Sequence, residues 1–232
     1  MKTEQISIRG VPAIVCGEPS KRIFLFVHGM GGSKEEAVAF AEIVQSKGWQ
    51  VVGVDLPEHG ERINETERFY PWVVVPELHA VWDALEQSQP EKIALRANSI
   101  GAWFSMLAFG DKQIAQSLFV SPILDMSRLI ERMMLWANVT KEELQERKII
   151  ETGFGQPLSW DYYCYAKQHP VENWSSPASL LYGSLESLTD RSDMDAFAER
   201  FHCDLTVMEN GEHWFHTEEQ LAVLNDWIAE RV

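Results

Sequence analysis

The chain has 232 residues, 45% of them hydrophobic, enough for one large α/β domain that buries its core without a metal or disulfide staple. Its formal net charge of -15 argues against nucleic-acid partners and gives no encouragement to binding at anionic membranes. The three cysteines, Cys16, Cys164 and Cys203, are widely spaced, the N-terminal MKTEQISIRG has no apolar h-region and no run of about 18 apolar residues occurs. A cytoplasmic protein is expected.

In chain order, QISIRG and PAIVCG read as a hairpin, and RIFLFVH (22–28) as a strand buried on both faces. The glycine-rich HGMGGS follows. It lacks the Lys-Ser/Thr pair of a P-loop and the third glycine and ribose-binding acid of a dinucleotide site. A helix is expected from Ser33, capped by Ser33 and Glu36 as a capping box and ended at Gly48. WQVVGVD (49–55) is the next strand, followed by the charged loop LPEHGERINETER. Glu58, His59 and Glu61 in that loop have no matching ligand set elsewhere, so a loop-organising role is expected for His59 rather than a metal site.

Residues 72–88 are expected to be helical, with Pro90 as a stop; KIALRA (92–97) is a strand, IGAWFSMLAFG (100–110) a helix and AQSLFV (115–120) a strand. The segment 122–176 interrupts this rhythm. It opens with Met126, Leu129, Ile130, Met133 and Met134 at helical spacing and is expected to form a small cap over the site. ASLLYG (178–183), DRSDMDAFAERF (190–201) and DLTVME (204–209) restore the strand–helix–strand alternation, and a last helix starts at a second capping box, Thr217 with Gln220. Alternation of this kind implies a mostly parallel central sheet with helices on both faces, and such sheets bind ligands beyond the carboxyl ends of their strands.

Four candidate groups fall at those strand ends: the HGMGG loop, Ser99, Glu186 and His213. LRANSIGAWFS approaches the G-x-S-x-G turn, with Ala97 in place of the first glycine. A serine hydroxyl needs a base within hydrogen-bond reach, and His213 is the candidate. His216 directly precedes the Thr217 cap and is the less favoured choice. A strand-to-helix turn at Ser99 would aim the Ile100 N–H at a developing oxyanion. His28 is expected to hold the glycine loop by hydrogen bonds.

The order strand–HGMGGS, strand–DLPEHG, strand–ANSIG, strand–GSLE, strand–GEHWF resembles the α/β-hydrolase superfamily along nearly the whole chain. Within it, the strings DLPEHGER and GEHWFHT are similar to those of small bacterial carboxylesterase-type proteins. The resemblance implies one α/β-hydrolase domain over 1–232 and a serine hydrolase that takes a small-molecule carboxylic ester and needs no cofactor. It also implies Ser99 as nucleophile, His213 as base and the Met30 and Ile100 N–H groups as oxyanion hole. For the acid, Glu186 is the first choice, with Asp190 and then Asp125 as alternatives. GSLE puts Glu186 where the family commonly has aspartate, Asp190 lies four residues on, and Asp125 follows SPIL. Met133, Met134 and Trp136 are expected to line an apolar acyl pocket. Thioesterase, amidase or peptidase, or carbon–carbon bond hydrolase activity would use the same groups, and a non-catalytic binding protein of the same fold is the remaining alternative.

Overall fold

The computed structural model describes residues 1–66 and 68–232. Two strands, β1 (Thr3–Ile8) and β2 (Val11–Cys16), form the N-terminal hairpin, and Gly10, at φ 89°, makes its turn. Then come β3 (Arg22–Val27), α1 (Glu36–Val44), β4 (Gln50–Val54), α2 (Pro71–Gln87), β5 (Lys92–Asn98), α3 (Ser99–Phe109) and β6 (Ser117–Val120). The segment after β6 contains α4 (Met126–Ala137), α5 (Lys141–Arg147), a two-stranded hairpin of β7 (Ile149–Ile150) and β8 (Leu158–Ser159), and α6 (Trp160–Gln168). The chain closes with β9 (Ala178–Gly183), α7 (Arg191–Phe201), β10 (Asp204–Met208) and α8 (Glu218–Arg231).

The main sheet has eight strands in the order β1-β2-β4-β3-β5-β6-β9-β10. Only β2 runs against its neighbours; β4, β3, β5, β6, β9 and β10 pair in parallel. Alternate side chains of a strand point to opposite faces, and β3 shows the consequence. Ile23, Leu25 and Val27 enter one core with side chains from α2, α3 and α7, whereas Phe24 and Phe26 enter a second core with α1 and α8. The 122–176 segment packs onto the first of these cores through Met126, Leu129, Leu144 and Leu158. Among the described residues no helix is long and apolar enough to cross a membrane.

The start of α1 differs from expectation. The helix begins at Glu36, three residues after Ser33, and has no side-chain cap. Half of the capping box exists: Glu36 Oε1 accepts the Ser33 N–H at 3.3 Å. The Ser33–Glu35 stretch is a turn because Lys34 is drawn inward. Its N–H and Nζ both donate to the buried Asp55, at 2.8 and 2.9 Å, and Nζ also reaches Glu61 at 2.8 Å. At α8, Thr217 accepts from the Gln220 N–H, but the Gln220 carboxamide oxygen reaches past the cap to the His216 N–H.

Candidate active site

Ser99 sits where β5 turns into α3. Asn98 is extended (φ -112°, ψ 139°), Ser99 is left-handed at φ 48°, and the helix continues from there. A non-glycine residue in that region costs on the order of 1–3 kcal/mol and persists only where its surroundings impose it. Here Asn98 is held in register opposite Val120, and the Ser99 carbonyl accepts the Ile123 N–H at 3.2 Å. Close approach of the neighbouring loop makes glycine necessary at position 101: a Cβ there would lie 2.1 Å from the His28 carbonyl oxygen. Position 97 makes no such demand. The Ala97 methyl is fully buried in the first core, opposite Val27 and Phe119, so the departure from the G-x-S-x-G pattern is filled with ordinary packing.

The structure brings His213 to this serine. Its Nε2 is 2.8 Å from Ser99 Oγ, across 114 residues of sequence. Its Nδ1 is 2.5 Å from Glu186 Oε2. A carboxylate can only accept, so Nδ1 carries the hydrogen and Nε2 is left to accept from the serine hydroxyl. The Glu186 side chain is fully buried, and its other oxygen accepts the Leu188 N–H at 2.7 Å.

The two loops that carry these residues are bound to each other. The Ser184 N–H donates to the Met208 carbonyl and the Leu185 N–H to the Gly211 carbonyl. A Cβ at Gly183 would lie 2.3 Å from the Gly211 oxygen, so a glycine is needed for the loops to touch.

The competing residues are occupied elsewhere. Asp190 precedes α7 and takes Arg132 Nη2 at 2.6 Å; Asp125 caps α4, accepting from Ser127 Oγ and the Arg128 N–H. His216 is turned outward, its Nδ1 on the Trp214 carbonyl.

The glycine loop lies against the serine: a Cβ at Gly29 would approach Ser99 Cβ to 3.1 Å. Met30 and Ile100 both face the same cavity as Ser99. Ile100 lies in the first turn of α3, where backbone N–H groups have no intrahelical acceptor. His28 is fully buried; its Nδ1 donates to the Gly29 carbonyl at 2.7 Å, and its Nε2 accepts the Leu56 N–H at 3.0 Å. Burial pushes the His28 pKa down to about 4, against the opposing pull of the Gly29 carbonyl.

Behind the loop lies a group of residues that the motifs do not flag. Glu36 accepts from the Ser33 N–H through one oxygen and from Asn98 Nδ2, at 3.3 Å, through the other. It thereby links the glycine loop to the residue before Ser99. A Cβ at Gly32 would strike the same carboxylate at 2.2 Å. Arg96, buried on the α1 side of β5, donates Nη1 to the Ala97 carbonyl at 3.2 Å; burial lowers its pKa and the Glu36 charge opposes the shift. Burial raises the Glu36 pKa, with the Ser33 N–H and Arg96 pulling the other way. A charged residue inside the run KIALRA, on a strand buried on both faces, is the signal that could have found this group.

Above Ser99 is a cavity of about 480 Å³. One wall comes from α4 and the residues before it, including Ile123, Leu129, Met133 and Trp136. Further lining comes from the β7–β8 hairpin and α6, through Ile149, Leu158 and Tyr162, and from Phe69 and Tyr70. Of the three residues expected to line a pocket, Met133 and Trp136 do so. Met134 points into the core and is buried there. In the loop after β4, Glu58 Oε1 accepts the Arg68 and Phe69 N–H groups, His59 Nδ1 bonds the Pro57 carbonyl, and Glu61 pairs with Lys34.

No protein-family model matches this sequence. A comparison with curated proteins gave no match either. Solved structures do match. Est1E from Butyrivibrio proteoclasticus is 17% identical, with a TM-score of 0.78 over 99% of this chain and 96% of that one. The mouse α/β-hydrolase domain-containing protein 10 is 14% identical, with a TM-score of 0.75 over 100% of this chain and 98% of that one. The thioesterase domain from the curacin biosynthetic pathway is 17% identical, with a TM-score of 0.60 over 98% of this chain and 99% of that one. With its strand order, its single antiparallel neighbour in β2 and these likenesses over full length, the chain has the α/β-hydrolase fold.

Proposed function

We propose that the protein is a serine hydrolase acting on carboxylic esters, with Ser99 as nucleophile, His213 as base and Glu186 as the acid that orients it. The observation that carries this reading is the unbroken relay from Ser99 Oγ to His213 Nε2 (2.8 Å) and from His213 Nδ1 to Glu186 Oε2 (2.5 Å), built on a left-handed serine. In the proposed cycle Ser99 Oγ attacks the ester carbonyl and its proton passes to His213 Nε2. The N–H groups of Met30 and Ile100 receive the oxyanion. The carbonyl re-forms, the alcohol leaves with the proton from His213, and an acyl group remains on Ser99. Water then repeats the sequence, releasing the acid and restoring the hydroxyl. Glu186 stays ionised throughout and stabilises the imidazolium.

The 122–176 segment acts as a cap in this reading, supported by its contribution to the cavity wall above Ser99. Three free cysteines support a reducing, cytoplasmic setting. The likeness to a thioesterase domain favours thioesters as a second substrate class for the same relay. The test is labelling of the purified protein with a fluorophosphonate probe, followed by a panel of acyl esters, thioesters and peptides. The expected result is stoichiometric labelling that Ser99→Ala abolishes, with turnover of esters. Wild type labelling no better than Ser99→Ala would overturn the reading.

A further inference from the structure

The cavity above Ser99 has a one-sided charge. Its wall is apolar apart from Ser99, Gln156, Ser159, the Tyr70 and Tyr162 rings and two carboxylates, Glu58 and Glu151. Among the described residues no lysine or arginine lines it. Glu58 is fixed in place, since its Oε1 accepts the backbone N–H groups of Arg68 and Phe69 at 2.7 and 3.0 Å. Glu151 lies just after β7 and is exposed.

The arginines of the surrounding segments are paired with other carboxylates. Arg62 binds Glu65 and Glu77, Arg68 binds Glu77, Arg132 binds Asp190, and Arg128 binds Asp193. Lys148, next to the wall residue Ile149, lies over the Trp160 ring, which is not on the wall. The whole chain adds its net charge of -15 to this local field.

An anionic substrate entering the cavity would meet two like charges and no compensating cation, in a partly desolvated space where charge interactions strengthen. A phosphate-bearing carrier such as a coenzyme A thioester has that handicap. We propose that this site discriminates by charge: the acyl group lies against Met133 and Trp136 and the leaving group toward the loop after β4 and the β7–β8 hairpin, where Glu58 and Glu151 sit, so that esters or thioesters of uncharged acyl groups with a neutral or cationic leaving group are taken and those with an anionic leaving group are rejected. The proposal rests on the reading of Ser99 as the nucleophile and adds to it the charge class of the substrate.

Three butyryl thioesters test it, each releasing butyrate and a free thiol that is counted by a disulfide reagent. The thiols are thiocholine, N-acetylcysteamine and 2-mercaptoethanesulfonate, similar in size but cationic, neutral and anionic. The expected kcat/KM falls in that order, with the cationic substrate about tenfold or more above the anionic one at low salt. The ratio should shrink toward unity as ionic strength rises. Glu151→Gln, whose side chain has no structural partner to lose among those described, should narrow it severalfold, and Glu58→Gln should do the same. An anionic thioester turned over as well as the neutral one at low salt overturns the charge proposal. If fluorophosphonate labels Ser99 in the same preparation, the hydrolase reading survives that failure. Absence of labelling takes both down.

Discussion

Glu186 reaches the imidazole because the loops after β9 and β10 touch, and the contact depends on glycine at 183 and 211. The glutamate side chain is one methylene longer than aspartate and uses both oxygens, one on His213 Nδ1 and one on the Leu188 N–H. Asp190 is tied instead to Arg132. Two substitutions therefore separate sharply. Glu186→Gln keeps the shape but supplies a donor where His213 already donates, which favours the wrong tautomer, and kcat on an ester should fall about 10³–10⁴-fold. Asp190→Asn should leave kcat within about threefold. Steady-state kinetics on one chromogenic ester, with circular dichroism to check folding, read both; equal losses would remove Glu186 from its proposed role. Ser99, His213 and the list of possible acids were legible in the sequence because short motifs carry them. Among the acids, the place of Glu186 in GSLE made it the first choice, but Asp190 and Asp125 are set aside only by their partners in the fold, Arg132 for the one and the start of α4 for the other. The Gly101 requirement was readable from the motif, whereas the tolerance of Ala97 shows only when its methyl is seen packed against neighbouring strands.

Strands and helices of the main sheet were readable by periodicity, and they differ from expectation mostly at their ends. The start of α1 is the informative exception. Local capping chemistry placed it at Ser33, but Lys34 makes long-range bonds to Asp55 and Glu61 that hold residues 33–35 in a turn. No local pattern reports a partner 21 residues away. In α4 the helical spacing correctly marked an apolar face, but spacing alone could not divide that face between core and cavity. Met133 and Met134 are adjacent, yet Met133 lines the cavity at the edge of the core and Met134 is buried within the core. Their alanine variants should differ accordingly. Met133→Ala enlarges the proposed acyl pocket and should shift the preferred chain length upward by about one or two carbons, with little loss of stability. Met134→Ala opens a hole in the core and should cost about 2–4 kcal/mol in urea unfolding without changing the chain-length profile. Unchanged profiles for both Met133→Ala and Trp136→Ala would remove the acyl-pocket role.

At the scale of the whole molecule, the parallel order of the strands gathers the loops after β3, β4, β5, β9 and β10 at one edge, and His28 joins the first two. Its Nε2 accepts from the Leu56 backbone, so the ring must be neutral to connect the glycine loop to the segment after β4. Protonation would break that bond and leave a cation in the core, close to His59. Burial holds the folded pKa near 4 against 6.5 for an unhindered histidine. The unfolded chain therefore binds more protons between those values, and stability must fall as pH drops through that window. Full stability from this group is present above about pH 6.5, and the loss approaches about 3 kcal/mol near pH 4. Two effects oppose it. Relief of the large negative charge favours the folded state on acidification. Glu36, whose pKa is raised, also gains relative stability as it protonates. Carboxylates with lowered pKa values, such as Glu65 and Glu131, add to the loss only near and below about pH 4.5, where an unfolded glutamate begins to protonate. The interval from about pH 6.5 to 5 therefore belongs chiefly to His28. Urea midpoints measured at half-unit steps across it should decline in the wild type. His28→Asn, which can still donate to the Gly29 carbonyl but loses the bond from the Leu56 N–H and cannot titrate there, should start from a lower midpoint and stay level. Parallel slopes for the two proteins would mean that the acid sensitivity of the fold lies in some group other than this histidine.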